Sequence, residues 1–314
     1  MKGILAAHAD WSMDARKRWV AMARRGTRSW CVAAPVLVGD VPTFLDRLGA
    51  LAAGAPVALG VDLPVGLPRA YAASLVSHDF PDFLRELTSQ NDFFRVCPTL
   101  VELSPTRPFY PARGVKGMTR ASHAAALGLP DAAALSRACD RATAERPAGA
   151  PLFWTLGANQ SGKAAIAAWR DMLAPALATG AAVDLWPFAG PFRGLLAPGR
   201  IALAETYPAE ALRHLGLRMN GSKRRQLDRV ALAPELVSVM ARLRAEPEAA
   251  LTAAITTGFG ADAAGEDRFD CLLGLLCVIN VLDGNRPDDT PPDPWLTRWE
   301  GWVLGQTASP NRIG

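Results

Sequence analysis

Three apolar segments of this 314-residue chain each end in an acid: Asp10 follows ILAAHA, Asp62 follows VALGV and Glu205 follows IALA. In an open α/β sheet, ligands gather in the crevice beyond the carboxyl ends of the strands, so the three acids converge if their strands are neighbours. Asp267 and Asp270 stand three apart at the start of DRFDCLLGLLCVINVL, and a helix there places both on one face. A carboxylate such as Asp270 inside a mostly apolar helix needs a cation, a donor or a raised pKa. Hard oxygen ligands of this kind suit magnesium or manganese, and a pair of such ions activates a water and steadies the leaving oxygen of a phosphodiester. The expected metal ligands are Asp10, Asp62 and Asp270, with Asp267 or Glu205 orienting the attacking water. Each acid taken alone has a simpler reading as a solvated loop residue, a helix cap or a partner for the helix dipole.

The elements that must position these acids are legible from hydrophobic pattern. Residues 3–9 read as a strand, followed by strands around 18–22 and 29–33, with 24–26 as a turn, giving an opening antiparallel meander. Phe44, Leu45, Leu48 and Leu51 lie at helical spacing, with Gly54 as a stop. Residues 57–61 are almost continuously apolar, as in a central strand covered on both faces, and Pro64 ends that run. Residues 201–204 form another apolar strand leading into a short helix, and the run from Arg268 onward reads as a buried helix. Between them, residues 69–194 alternate helical patches with proline-rich loops such as SPTRPFYPARG, and read as an insertion or cap. The expected organisation is one domain: a core at 1–68 and 195–314, with that insertion.

The bulk composition narrows the class. Half the residues are hydrophobic and a fifth charged, as in a folded globular protein. The net charge of +4 permits a phosphate-rich partner without identifying one. Five cysteines with no C-x-x-C pair suggest neither a disulfide frame nor a zinc knuckle, and a reducing, cytoplasmic setting is expected. No uninterrupted apolar run reaches the roughly 18 residues of a membrane helix.

Three basic residues are candidate phosphate contacts: Lys163, Lys223 and Arg224, in the segments SGK and SKRR. Surface solvation is the plainer account of all three. The segment GANQSGKA, residues 157–164, has the spacing of a phosphate-binding loop, but Ala164 stands where a Ser or Thr would hold magnesium. A nucleotide-binding protein using this loop is one alternative, and a non-catalytic module whose acids only tie loops together is another. His8 shares a strand face with Asp10 by alternation, in a core or proton-shuttling role.

Asp10 in AHADWS, then GVDLPVGLP, AETYPAEA, DRFDCLLGLL and EGWVLG together resemble the domain-of-unknown-function family numbered four two nine, whose members are predicted RNase H-like nucleases. The resemblance touches the chain from its beginning to near its end and lies in the order and spacing of the motifs. It implies an RNase H-like mixed sheet: a three-stranded antiparallel meander, a helix, parallel strands and a closing helix, with a large, mostly helical insertion. It further implies hydrolysis of nucleic acid, DNA or RNA, with divalent metal. In the related Holliday-junction resolvases of the RuvC type, acids come from the first strand, the end of the fourth strand and a late helix carrying two acids three apart. Asp10, Asp62 and the pair Asp267 and Asp270 are similar by position, with Glu205 as an additional candidate. The chain differs from those resolvases in having aspartate where they use glutamate at residue 62, and in the stiff turn that Pro64 imposes.

Overall fold

The computed structural model describes residues 3–87, 92–144, 146–156 and 161–308, which fall into two compact units. The first comprises residues 1–63, 182–289 and 303–306, and the second residues 64–181, 290–302 and 307–314.

The first unit is built on an eight-stranded mixed sheet. Its strands are β1 (Leu5–Asp10), β2 (Trp19–Arg25), β3 (Trp30–Val32), β4 (Val36–Leu37), β5 (Val57–Asp62), β6 (Val183–Leu185), β7 (Ile201–Glu205) and β8 (Ala245–Pro247). The order is β6-β7-β5-β1-β2-β3-β8, with β4 pairing β2 outside that path. β1, β2 and β3 are antiparallel neighbours, whereas β5 joins β1 in parallel and β7 and β6 continue the parallel half. Fully buried runs such as VALGV in β5 and IALAE in β7 are what a strand covered on both faces requires.

Several boundaries differ from the sequence expectation for physical reasons. β2 runs through Arg24 and Arg25, and the turn lies beyond them, where the Gly26 amide donates to the Ser29 carbonyl at 2.8 Å. Charged residues resemble a turn in sequence, but Arg25 is held in the sheet by an ion pair to Asp283 and by stacking over Trp30 at 4.9 Å. The helix Phe44–Ala52 buries Phe44, Leu45 and Leu48 but leaves Leu51 exposed, and ends on Ala53 in the left-handed conformation just before Gly54. β6 pairs with β7, so the main-sheet unit resumes at residue 182, well inside the segment expected as insertion. Residues 290–302, expected in the core, group with the second unit.

The helix Gly265–Leu282 closes the first unit against β1, β2 and β5, with every residue from Phe269 to Leu282 buried. Small residues allow it to lie directly on the sheet. A Cβ at Gly274 would fall 2.2 Å from the His8 ring, and one at Gly60 would fall 2.7 Å from Val278. These two glycines set the height of the helix above the strands, and thereby the position of the acids in its first turns.

The second unit contains short helices, among them Phe80–Glu86, Arg120–Ala126 and Ser161–Ala168, the last running into a π-helical turn, Trp169–Leu173. Its core is aromatic: Phe93 packs against Phe83, Phe109 and Phe153 and stacks on Trp169. Residues 157–160 of GANQSGKA lie outside the described residues; Gly162, at the start of the following helix, has room for no side chain, since a Cβ would meet the Leu152 carbonyl at 2.3 Å.

Candidate metal centre

Asp10 and Asp62 are the last residues of adjacent parallel strands and stand directly opposite each other in register. Paired residues in a parallel ladder project to the same face, so both carboxyl groups rise on the side that carries His8 and Gly60. That is the side covered by the helix Gly265–Leu282, as the His8 contact at Gly274 and the Val278 contact at Gly60 establish. The helix brings Asp270 and Asp267 to the same strand ends, where Asp10 feels the charges of Asp62, Asp270 and Asp267 in that order. Four of the five expected acids therefore share one edge and one face of the sheet.

Glu205 is placed differently. It pairs in register with Val61, not with Asp62, so alternation sends its side chain to the opposite face. Its charge still reaches Asp62. The neighbouring Thr206 is the residue of that strand end on the Asp62 side, its methyl group 2.9 Å from where a Cβ on Gly60 would sit.

Burial dominates the electrostatics. It raises the Asp10 carboxyl well above its ordinary range, and repulsion from Asp62, Asp270 and Asp267 adds to the effect. Asp62 is pushed up to about 7 by burial and by Asp270, with Lys223 and a hydrogen bond shared with Asp10 pulling the other way. Asp270 rises to about 6, again through burial, opposed by Lys223. Burial also raises Asp267. Lys223 itself is depressed by burial, but Asp270, Asp62 and Glu266 more than compensate and hold it firmly charged.

The Lys223 Nζ donates to Asp270 Oδ2 and lies 3.7 Å from Glu266 Oε1. Its backbone is anchored from below. The buried Arg229 donates to the Lys223 carbonyl and, at 2.8 Å each, to the carbonyls of Gly258 and Gly260. The preceding Ser222 amide donates to Asp228 at 2.7 Å. Lys223, a candidate phosphate contact for which solvation is the plainer sequence reading, is instead paired with Asp270 and lies near Glu266. Arg224, 75% exposed and 3.7 Å from Glu266, remains at the rim. Lys163 belongs to the helix Ser161–Ala168 of the second unit.

Two observations bear on whether these acids suit a cation. Asp270 Oδ1 and Asp267 Oδ2 are buried with no hydrogen-bond partner among the described residues, although orphaned carboxylate oxygens are costly to bury. Carboxyl groups crowded enough to raise one another's pKa are relieved by a divalent ion more than by any neutral donor. The donor set is all oxygen, which fits magnesium or manganese. Among the described residues the oxygens of Asp10, Asp62 and Asp270 do not all close to within 4.8 Å of one another.

His8 sits beneath Asp10, fully buried, its Nδ1 3.1 Å from the Cys271 carbonyl. Burial lowers its pKa to about 3, so it is neutral and serves as packing under the helix; its alternation with Asp10 is as expected. Sequence reasoning missed the roles of Glu266, which helps hold Lys223, and of Arg229, which shapes the loop carrying it. An arginine at helical spacing among apolar residues, as in LDRVALAPELV, was the available signal for the second.

The sheet and its acid cluster define an α/β protein with a carboxylate site at the end of its parallel strands. Comparison with family models, with curated proteins and with solved structures finds no match.

Proposed function

We propose that the protein is a divalent-metal-dependent phosphodiesterase of RNase H-like type acting on nucleic acid. The observation that carries this reading is the meeting of Asp10, Asp62 and Asp270, from two adjacent parallel strands and one helix, with a buried and unpartnered oxygen on Asp270. The strand sequence supports the RNase H-like assignment: an antiparallel β1, β2, β3 meander, a helix, β5 and β7 in parallel, and a closing helix over the acids.

Asp10, Asp62 and Asp270 would hold magnesium or manganese, which when bound supplies Lewis acidity for polarising phosphoryl oxygens. The chain's own residues do the rest. Burial and mutual repulsion raise both Asp10 and Asp62, so the pair holds protons more tightly than ordinary carboxyl groups do. A cation held by these residues would compete with those protons. Asp267 would orient a water, a role supported by its unpartnered oxygen at the same edge. Arg224 at the rim is available to a phosphate backbone, as the positive net charge favours.

A second reading, a non-catalytic module of the same fold, draws on the ion pair by which Lys223 already neutralises part of the cluster. One experiment separates the two: incubation of pure protein with single-stranded, duplex and branched DNA and RNA, in magnesium or manganese and in EDTA. Metal-dependent cleavage that disappears in Asp10→Asn supports the enzyme. Absence of cleavage on every substrate favours the module.

A further inference from the structure

Resting on the metal-site reading above, we infer that the site takes a single divalent ion and that the Lys223 ammonium serves as its second cation. A two-ion carboxylate site places its ions roughly 3.5–4 Å apart and needs ligand oxygens on both. One oxygen of Asp270 is already engaged by the ammonium. Its Oδ2 accepts from Lys223, which leaves Oδ1 alone for a metal, and Oδ1 is the oxygen that is buried without a partner.

A surface lysine swinging onto an acid would not justify this reading, because exposed ion pairs hold weakly and readily exchange with solvent. Lys223 is built in. Arg229, 2% exposed, fixes its carbonyl and ties it to Gly258 and Gly260, just ahead of the helix that carries Asp270. Gly221 turns the chain at a φ of 131°, so close to Asp228 that a Cβ would fall 2.3 Å from the carboxylate, and Asp228 receives the Ser222 amide. The loop thus delivers the lysine from a braced backbone. A second divalent ion would have to displace the ammonium from Asp270 or meet its repulsion, and the braced backbone keeps that ammonium beside the cluster. Glu266, 3.7 Å from the ammonium, keeps its outer side neutralised when a metal sits on the inner side.

The test is the stoichiometry of manganese binding to metal-stripped full-length protein at pH 7.5, read from the free-ion electron paramagnetic resonance signal and by calorimetry. The expected result is one equivalent for the wild type and for Lys223→Arg, and a second equivalent for Lys223→Met, whose apolar stem matches in length without the charge. Circular dichroism and thermal melts accompany each variant; should Lys223→Met fail to fold, the wild-type and Lys223→Arg counts decide. Two equivalents on the wild type would overturn the inference and leave the metal site standing. A folded Lys223→Met that still binds one would overturn it as well. No manganese on any variant would remove the metal site itself.

Discussion

Substituting Asp62 by asparagine should stabilise the metal-free protein by an amount that grows with pH. The carboxyl of Asp62 titrates near 3.8 when unfolded and near 7 when folded, so the folded state binds its proton more tightly. Stability from this group is therefore present at low pH and lost as pH rises from about 4 through 7. Between pH 5 and pH 8 the loss amounts to about 2–3 kcal/mol for such a displacement at about 1.4 kcal/mol per tenfold change in proton affinity. His8 and His123 act in the opposite sense. Buried and neutral, with folded values near 3 and 4, they make the protein more stable as pH rises toward the ordinary histidine range. The wild-type profile alone thus mixes opposing slopes, whereas the difference between Asp62→Asn and wild type cancels the histidines. Asparagine retains the shape and can still hydrogen-bond Asp10. Urea unfolding in EDTA at pH 5, 6, 7 and 8 should show the advantage of Asp62→Asn widening by about 2–3 kcal/mol across the series. Parallel curves for the two proteins would refute the argument, because they would mean that Asp62 ionises in the folded protein as it does in the unfolded chain.

Asp10→Asn and Asp270→Asn should each reduce metal-dependent cleavage by at least about 100-fold, the upper end for less direct outer-shell partners, with melting temperature unchanged or raised for Asp10→Asn. Gel assays and calorimetry check the two halves. Gly274→Ala should destabilise the protein by about 3 kcal/mol, because its methyl group would meet the His8 ring at 2.2 Å with the helix already on the sheet; denaturant unfolding measures it. Of the five cysteines, only Cys31 is exposed, so Ellman's reagent should modify one thiol in the native protein and the other four only in denaturant.

Hydrophobic pattern by itself determined the class of the architecture and the ends of the main strands. Runs such as VALGV and IALA are too uniformly apolar for anything but covered strands, and each stops where an acid appears, so Asp62 and Glu205 were legible as edge residues, as was Asp10 after ILAAHA. The spacing of Asp267 and Asp270 likewise fixed their common side of a helix, because helical period is a local property.

Register and partner choice are not local, and they emerge only when the sheet and its covering helix are assembled. Glu205 ends its strand as convincingly as Asp62 does, yet pairing with Val61 turns it to the other face, a consequence of one residue of offset between neighbouring strands. Lys223 looked like solvated charge, since nothing nearby in sequence reveals that a loop 47 residues upstream will be pinned by Arg229 against Asp270. β6 was hidden in a proline-rich stretch because three residues carry too little pattern to announce a strand. Chain segments remote in sequence meet through packing and backbone pairing, and those depend on the whole fold, so the charge balance of the acid cluster could be read only once the sheet was assembled.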